Sequence, residues 1–432
     1  MGVKTVVLPI VVVIVAVVAS VSLLAPRQRI PDHLINHKLI DTPNFFTEKE
    51  VDDLLQFTRD IQEIPPTARE YDSYTPLMDN IGEAVPYVKG TPCPTYLIPN
   101  GNKTKCVFPG RIDVGRHFIM TGGPGAVKER YETLVTRIFS FIKYIYDVDK
   151  HELPKRLLGA PKFQKLATDV CPKEKQLLDP IQLNLVVQLP GQTVASHIDA
   201  PYFQRVSRFH YPQWLIAVMV WSGLFQKDFI DQVQVVGYYH KWTDTNRSGL
   251  FKFWNSKDLF PVESEPLTRS ANSVDGSKVV HAADVYMPDH LPPRMPDTTT
   301  NVLRYRKGPK GEHLWDLVSD EQVIKTYPED AIRFSVVYRA RCFATKKDIE
   351  KYHEDQKNPM PLEEIMETFR KDLVKKGLMT EGQKMTPYEF GLLLLDTYVK
   401  YPMSPTALIP YNWCAMNRVY KWLTPVVELL CN

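Results

Sequence analysis

The stretch from residue 182 to residue 343 is a series of short apolar runs separated by turns rich in Pro, Gly and Asn. In most of these runs apolar and polar residues alternate, which is the pattern of β-strands with one buried face. Many short strands joined by tight turns predict a sandwich or barrel, and 44% hydrophobic residues suffice for its core. The predicted strands are QLNLVVQL, VASHIDA, WLIAVMVW, QVQVVGYYH, LFKFW, KVVHAADVYM, NVLRYR and AIRFSVVYRARCF.

Helical patterns flank this β-rich stretch on both sides. The sequence LIDTPNFFTEKEVDDLLQFTRDIQ predicts a strand followed by a helix, because Thr47 and Glu50 have the spacing of a capping box. A second helix is predicted at about residues 127–146, after the glycine-rich sequence TGGPGA. Beyond residue 345, PLEEIMETFRKDLVKKG and TPYEFGLLLLDTYVKY predict two more helices, the second of them capped by Thr386.

Every residue from Val6 to Leu24 is apolar or small. This run approaches the roughly 20 residues that a helix needs to cross a bilayer. It is longer than the core of a typical signal peptide, which favours a signal anchor, although small residues such as Ala19 also allow a cleaved signal peptide. We therefore expect a transmembrane segment at residues 6–24, and a secreted protein if that segment is removed.

Two sets of residues give opposite indications of the side of the membrane on which the body lies. Arg27 and Arg29 outnumber Lys4, so the positive-inside rule would place the body in the cytosol. The acceptor sequons at Asn102 and Asn246, together with six cysteines, indicate a secretory compartment instead. We expect a glycosylated body in the lumen of the endoplasmic reticulum or Golgi.

Cysteine spacing and net charge argue against two classes of binding protein. The six cysteines show no CxxC or Cys/His zinc spacing, so they indicate disulfide bonds rather than a zinc site. Cys93 and Cys106 flank the turn-rich sequence TPCPTYLIPNGNKTKC and are the pair we expect first. The net charge is only +3 and the basic residues are dispersed, so no nucleic-acid partner is expected.

His197 and Asp199 lie two residues apart in the predicted strand VASHIDA. Side chains at i and i+2 of a strand project from the same face, so an imidazole and a carboxylate lie side by side. One further histidine completes a two-His, one-carboxylate set, which holds Fe(II) and leaves coordination positions open. The best candidate is His281, the first inward polar residue of another predicted strand that follows a turn, ahead of its rivals His240 and His290.

The last predicted strand carries a row of polar residues on one face. Arg333 and Ser335 lie two residues apart, so both project from the same side. A guanidinium binds a carboxylate in a bidentate fork, and a hydroxyl adds a further donor, so the pair predicts an anion site. Arg339 and Arg341 follow on the same face, and we interpret them as structural or as contacts to an acidic substrate.

The order of these features, HxD, a distal His and then Arg-x-Ser, resembles the 2-oxoglutarate/Fe(II)-dependent oxygenase superfamily. Residues 44–51 resemble the strand-to-helix start of its prolyl-hydroxylase-like branch, and residues 248–253 resemble its Gly-Leu strand. The resemblance implies a mainly β fold with flanking helices, a double-stranded β-helix or jelly roll, following the transmembrane segment.

The resemblance also implies a set of ligands and the residues that hold them. Fe(II) is expected on His197, Asp199 and His281, and 2-oxoglutarate on Arg333 and Ser335. Gln188, at the end of the preceding predicted strand, is a further candidate contact to 2-oxoglutarate. O2 is the expected co-substrate, and ascorbate is a candidate cofactor.

Two departures from the family pattern bear on the co-substrate site. The family usually places the arginine much closer to the distal His, so we interpret residues of about 289–328 as an insertion in the hairpin between the last two strands. If this segment is not an insertion, Arg294, Arg304 or Arg306 would be the residue that binds 2-oxoglutarate instead. Collagen-type prolyl hydroxylases have Lys where this chain has Arg333, which weakens the case for proline as the substrate.

The expected organisation has four parts. They are a signal anchor or signal peptide at residues 1–26, a stem and helical support region at 27–180, a catalytic jelly roll at 181–345 and a helical region at 346–432. The expected function is oxidation of a peptide, a glycan-linked residue or a lipid, coupled to formation of succinate and CO2. Two alternatives are a lumenal binding or scaffold protein without catalysis, and a cupin-like metalloenzyme that does not use 2-oxoglutarate.

Overall fold

The computed structural model of the chain describes residues 30–66, 83–91, 93–94, 96–100, 103–125, 128–242, 247–258, 260–295, 300–406 and 411–431. The apolar segment 6–24 and both sequon asparagines, Asn102 and Asn246, lie outside these ranges. Within the ranges, no helix has the length and the apolar character needed to cross a membrane.

The described part of the chain is mainly β with flanking helices. Its strands are β1 (Leu39–Thr42), β2 (Glu63–Ile64), β3 (Glu83–Pro86), β4 (Ile98–Pro99), β5 (Lys105–Val107), β6 (Phe141–Ile145), β7 (Leu177–Gln188), β8 (Val194–His197), β9 (Tyr202–Phe203), β10 (Phe229–Ile230), β11 (Gln232–Tyr238), β12 (Phe251–Trp254), β13 (Val262–Ser264), β14 (Ala271–Val274), β15 (Val280–Ala283), β16 (Asn301–Lys307), β17 (His313–Ser319), β18 (Gln322–Pro328) and β19 (Arg333–Phe343). Its α-helices are α1 (Glu48–Ile61), α2 (Ile112–Thr121), α3 (Tyr131–Arg137), α4 (Glu152–Gly159), α5 (Pro161–Thr168), α6 (Gln213–Ser222), α7 (Lys346–Asp355), α8 (Leu362–Lys375), α9 (Pro387–Tyr398), α10 (Met416–Val419) and α11 (Thr424–Leu430).

Two antiparallel sheets form the centre of the molecule. The major sheet has the order β1-β14-β11-β19-β7-β6, and the minor sheet has the order β13-β12-β15-β8. The sheets meet where Gln234 of β11 in the major sheet contacts His281 of β15 in the minor sheet, with 3.3 Å between the side-chain nitrogens. Two facing antiparallel sheets are consistent with the jelly roll that the sequence predicts.

The two faces of the major sheet differ in polarity. On β7 the fully buried Leu183 and Leu185 belong to the apolar face, which packs against helices α1 and α5. The alternate residues project from the opposite face, because successive strand residues point to opposite sides. That opposite face carries Gln182, Asn184 and Gln188 on β7 and Arg333, Ser335 and Arg339 on β19, all of them buried. The interior between the two sheets is therefore polar.

Several predicted elements are confirmed, and the clearest are helices with an unambiguous start. Helix α1 begins after Thr47, which forms a reciprocal capping box with Glu50. Helix α9 begins after Thr386 with the same type of box to Glu389. In each box the threonine side chain accepts from a free backbone N–H of the first turn, so both helices begin where the sequence predicts.

The predicted strand WLIAVMVW is wrong, because these residues form helix α6. Every side chain from Trp214 to Trp221 is buried, so no polar face marks the helical period in the sequence. The helix starts after Pro212 and ends at Gly223, whose φ of 70° closes the last turn in the left-handed conformation. These two flanking residues were the only local sign of a helix.

The predicted helix at residues 127–146 is also wrong in its extent. Helix α3 ends at Arg137, and strand β6 follows as the edge of the major sheet, with Ile145 opposite Leu183 of β7. Phe141 and Ile145 are buried on the apolar face of that sheet. Alternate residues of a strand project from the same face, so this short segment forms a strand rather than the end of a helix. Helix α2, which precedes the glycine cluster, was not predicted.

Residues between β15 and β19 form a separate antiparallel meander of β16, β17 and β18, with β2 added at the far edge of β16. This is the region that the sequence identifies as an insertion. Leu303 and Trp315 are fully buried, and the Trp315 ring lies 5.8 Å from that of Phe334 on β19. The two ends of the meander meet where the Tyr286 hydroxyl donates to the Ala331 carbonyl at 3.2 Å.

Three disulfide bonds use all six cysteines. The predicted pair Cys93–Cys106 is confirmed, and the other pairs are Cys171–Cys342 and Cys414–Cys431. Cys171–Cys342 has a sequence separation of 171 and joins the segment after α5 to the end of β19. It therefore ties the helical side of the molecule to the strand that carries the predicted anion site.

We expect the double substitution Cys171→Ala, Cys342→Ala to lower the free energy of unfolding by roughly 2–5 kcal/mol, because a long loop gains most conformational entropy when it is released. Chemical denaturation without reductant measures the loss. The matched control is Cys93→Ala, Cys106→Ala, which opens a loop with a separation of only 13 and should cost less. An equal or larger loss in the control would contradict the loop-length argument.

Candidate metal centre

Strand β8 and the loop after it position the first two candidate ligands. His197 is the last residue of β8, and Asp199 lies just beyond it. The Asp199 N–H donates to the Gly276 carbonyl at 2.8 Å, which ties the loop after β8 to the turn before β15. Both side chains are partly buried, so they project into the polar interior rather than into bulk solvent.

His281 of β15 lies directly opposite His197 in the ladder between β15 and β8. The two ring centroids are 4.2 Å apart, and Nε2 of His197 is 3.7 Å from Oδ1 of Asp199. One ligand atom from each of the three residues fits within 4.8 Å of the others. The structure thus brings together the three residues that the sequence proposes as metal ligands.

The orientation of each histidine ring is fixed by its own backbone. Nδ1 of His197 lies 2.8 Å from the Ala195 carbonyl oxygen, and Nδ1 of His281 lies 2.9 Å from that of Val279. A carbonyl oxygen only accepts, so each Nδ1 carries the proton and donates it. Each Nε2 is therefore the unprotonated nitrogen, as is usual for ligating histidines, and at His281 a bound metal ion would take the place of the contact from the Gln234 amide.

The charges of the cluster also suit a divalent cation. Burial, with a contribution from nearby His197, lowers the pKa of His281 to about 4, so its imidazole is neutral at pH 7. Burial alone would raise the pKa of Asp199, but the positive charge of Arg339 holds it below its ordinary value. The set offers two imidazole nitrogens and one carboxylate, which is a suitable donor set for Fe(II).

Gly276 leaves the space that Asp199 occupies. A Cβ atom at this position would overlap Oδ2 of Asp199 and would lie 3.1 Å from the His281 ring. The adjacent Asp275 is buried and accepts hydrogen bonds from the hydroxyl of Ser277 and from the backbone N–H of Gln232. A turn free of side-chain bulk at this point therefore lets the carboxylate approach the imidazoles.

The two rival histidines lie elsewhere. His240 is buried and stacks on Trp242 with 3.6 Å between ring centroids, and its Nδ1 is directed at the Phe334 carbonyl. His290 is exposed. Within the described ranges, the His197, Asp199 and His281 group is the one place where three such side chains could hold a metal ion.

Arg333 and Ser335 lie on β19, on the polar face of the major sheet. Arg333 is only 3% exposed, and its Nε and Nη1 atoms have no hydrogen-bond partner among the described residues. Its Nη2 contacts the Tyr238 hydroxyl at 3.4 Å, and the Ser335 hydroxyl reaches the Val186 carbonyl only at 3.5 Å. In the described part of the chain no carboxylate forms an ion pair with Arg333. A buried guanidinium in this state favours an anionic ligand.

Other residues around Arg333 fit the same interpretation. A Cβ at Gly249, whose φ is +75°, would lie 2.9 Å from Nη1 of Arg333, so glycine allows this close approach. Gln188 lies opposite Arg333 in the ladder between β7 and β19, and its buried Nε2 has no partner. Gly249 thus brings the backbone close to the guanidinium, and Gln188 provides an unpaired side-chain amide N–H near it.

The three alternative arginines are in a different environment. Arg304 pairs with Glu63 and Glu321, and Arg306 pairs with Asp316. Arg294 is exposed. Among the four arginines that the sequence leaves open, the buried and unpaired one is therefore Arg333.

The aromatic residues after the HxD motif are mostly core. Tyr202, Phe203, Tyr211 and Trp214 are at most 3% exposed, whereas Phe209 is 51% exposed. The Phe209 ring lies 5.9 Å from that of Tyr146, just beyond the edge strand β6.

Sequence analysis missed Gln234, although a signal was present in QVQVVGYYH. Glutamines at alternate positions of an otherwise apolar run place polar groups on one buried face. Gln234 uses that face to direct its side-chain amide at Nε2 of His281.

Comparison with known proteins gives distant structural matches. No family model and no curated protein match the chain. A prolyl-4-hydroxylase from Pseudomonas putida covers 75% of this chain and 98% of its own, with 11% identity and a TM-score of 0.31. A Trichoplax adhaerens prolyl hydroxylase, in complex with a hypoxia inducible factor peptide fragment, covers 78% of this chain and 94% of its own, with 9% identity and a TM-score of 0.32.

A third similar structure is HygX from Streptomyces hygroscopicus with nickel and 2-oxoglutarate bound. It covers 70% of this chain and 82% of its own, with 5% identity and a TM-score of 0.29. Prolyl-hydroxylase-like 2-oxoglutarate/Fe(II) oxygenases, the group that the sequence resembles, are thus among the structures similar to this chain. At these TM-scores the likeness carries no argument of its own, so the assignment of function rests on the residues of the site.

We expect His197→Ala or Asp199→Ala to weaken Fe(II) binding by more than about a hundredfold, because even the loss of an outer-shell partner costs 10–100-fold. Iron analysis after anaerobic loading and desalting gives the stoichiometry. His290→Ala, at an exposed histidine, is the matched control and should retain full iron content. Undiminished iron in either ligand variant would refute the assignment.

Proposed function

We propose that this protein is an Fe(II)- and 2-oxoglutarate-dependent oxygenase. The observation that carries the proposal is the pairing of a His-Asp-His cluster with a buried, unpaired arginine inside the same pair of sheets. Either feature alone occurs in other proteins. Together they provide a site for a metal ion and a site for a carboxylate in one polar interior.

The residues present fit both absent groups. His197, Asp199 and His281 would hold Fe(II) through two neutral nitrogens and one carboxylate oxygen, which leaves positions open for other ligands. The Arg333 guanidinium would hold a carboxylate of 2-oxoglutarate, and the Ser335 hydroxyl would add a donor. A ligand carboxylate there would satisfy donor atoms that the protein leaves unpaired.

Each part of the site has a defined task in the proposed reaction. With both groups bound, iron and 2-oxoglutarate use O2 to oxidise a substrate and release succinate and CO2. The protein residues fix the metal, orient the co-substrate through Arg333 and keep bulk water from the interior. The buried carbonyl contacts of His197 and His281 hold both rings in one tautomer throughout.

The interior next to the metal cluster favours a neutral, hydrogen-bonding substrate. Gln182 and Asn184 of β7 are 2% and 6% exposed, and their amide oxygens have no partner among the described residues. Both lie on the polar face, with Gln182 opposite Arg339 and Asn184 opposite Tyr144 of the edge strand. Unpaired amide oxygens can accept from the N–H or O–H donors of a peptide or glycan-linked group, which a lipid chain does not offer.

Two other functions make different demands. A binding or scaffold protein without catalysis would not convert 2-oxoglutarate to succinate. A cupin-like metalloenzyme would not need 2-oxoglutarate, and Arg333 would then be a buried cation without an anion. Iron-dependent formation of succinate by the purified chain separates the proposed function from both.

We expect Arg333→Lys to raise the concentration of 2-oxoglutarate needed for saturation steeply while iron binding is unchanged, because the ammonium cannot form a planar fork. Ser335→Ala removes one hydrogen bond to a charged group, worth roughly 1.5–3 kcal/mol, so affinity should fall about ten- to a hundredfold. Anaerobic titration of the iron-loaded variants, followed by the metal-to-ligand absorption band, measures both.

Arg294→Ala, Arg304→Ala and Arg306→Ala are the matched controls for this titration, and each should bind 2-oxoglutarate as the unaltered chain does. Arg304 and Arg306 already have carboxylate partners on the surface of the meander. If one of these variants lost 2-oxoglutarate while Arg333→Lys kept it, the assignment of the final strand would be wrong.

We also propose that the body lies in the lumen of the endoplasmic reticulum or Golgi, anchored by residues 6–24. Three disulfide bonds support this location, because they persist in oxidising compartments. We expect Asn102 to carry a glycan, so glycosidase treatment of protein from eukaryotic cells should increase its gel mobility, and Asn102→Gln should reduce that shift. No shift, with protease sensitivity from the cytosol, would reverse the proposed orientation.

A further inference from the structure

Arg339 and Arg341 are two buried arginines on β19 with different surroundings. Arg341 pairs with Asp179 at 2.8 Å and donates to the Tyr352 hydroxyl at 3.1 Å, so its charge is compensated far from the metal cluster. Arg339 is 4% exposed, and its Nε lies 3.9 Å from Oδ2 of Asp199. Only Arg339 therefore faces a proposed metal ligand.

The guanidinium of Arg339 is held in place by two acceptors other than Asp199. Its Nη2 donates to the Ala200 carbonyl at 3.0 Å and to Oε1 of Gln232 at 2.8 Å. These two acceptors fix the plane of the group, while Nε has no hydrogen-bond partner among the described residues. Arg339 is thus anchored by neutral acceptors and presents its charge to the carboxylate without a direct hydrogen bond to it.

The two oxygens of Asp199 have different environments. Oδ1 faces the histidines, at 3.7 Å from Nε2 of His197. Oδ2 is buried and has no hydrogen-bond partner in the described part of the chain; it lies on the side of Arg339, in the space left by Gly276. One oxygen is therefore available to a metal ion, and the other is turned towards a fixed positive charge.

We propose that Arg339 is a positioning residue that keeps Asp199 a one-oxygen ligand. If Asp199 rotated to bind the metal with both oxygens, Oδ2 would leave Arg339, and a buried guanidinium would lose the one carboxylate near it among the described residues. Opposite charges attract strongly at this distance in a buried site, so the rotation is unfavourable. The inference rests on the proposed function, because it concerns the ligand set of the same metal site.

The binding mode of Asp199 determines how many coordination positions of the metal stay open. An octahedral ion held by three protein atoms has three positions left, enough for a bidentate 2-oxoglutarate and for O2. With Asp199 bound through both oxygens, two positions would be left and the co-substrate would fill both. Arg339 would thus preserve a third open position through its effect on Asp199.

The test counts water molecules on bound Mn(II), a paramagnetic ion that accepts the same oxygen and nitrogen ligands. The full-length chain is loaded with Mn(II) without 2-oxoglutarate, and coordinated water is counted by electron–nuclear double resonance in oxygen-17 water. We expect three water ligands in the unaltered chain and two in Arg339→Gln. Arg339→Lys restores the charge and should restore the third water.

Arg341→Gln is the matched control, since it removes a buried arginine two residues further along β19 and should leave three waters. Three waters in Arg339→Gln would overturn the inference, as would two in Arg341→Gln. If Arg339→Gln does not fold, by its circular dichroism melt, Arg339→Met keeps an unbranched side chain there and carries the same expectation. Failure of the proposed function is distinct, because the unaltered chain would then bind no metal ion or no 2-oxoglutarate.

Discussion

The pairing of β8 with β15 is the constraint on which the rest of the site depends, because it sets His197 directly opposite His281. A slip of one residue would turn a strand's side chains to the other face and separate the imidazoles. Apolar neighbours fix the register, since Val280 and Ala282 are buried in a cluster with helix α6 on the far side of β15. Helix α6 thus helps to hold the metal cluster together.

The interior between the two sheets contains several buried polar side chains with unpaired donor or acceptor atoms, which are uncommon inside proteins. Arg333, Gln188, Gln182 and Asn184 all retain unpaired polar atoms there, at a cost of about 1–3 kcal/mol for each unsatisfied group. Where the same strand β19 leaves this interior, Arg341 is fully partnered. A group of unpaired donors and acceptors around one buried guanidinium indicates that ligands complete the hydrogen bonding there.

Most of the fold and most of the site could be predicted from local sequence patterns. The remainder depends on contacts between distant segments, which such patterns do not show. Capping residues defined α1 and α9, and alternation defined β7, β11 and β19. Alternation failed for α6, whose uniformly apolar sequence contains no period. The local pair Cys93–Cys106 was predictable, but Cys171–Cys342 was not, because only folding brings those residues together. For the same reason the sequence could not assign Arg339, which faces Asp199 across two sheets.

The meander of β16, β17 and β18 separates the distal histidine from Arg333 along the chain but not in space. Its ends are joined by the Tyr286 hydroxyl and the Ala331 carbonyl, so it leaves and rejoins the fold at one point. A motif defined by a fixed interval between those residues would overlook this chain, whereas one defined by strand order would recognise it. During evolution the meander could therefore change in length without moving the site. Its exposed surface could diverge while the residues that bind the metal and the co-substrate stayed under selection.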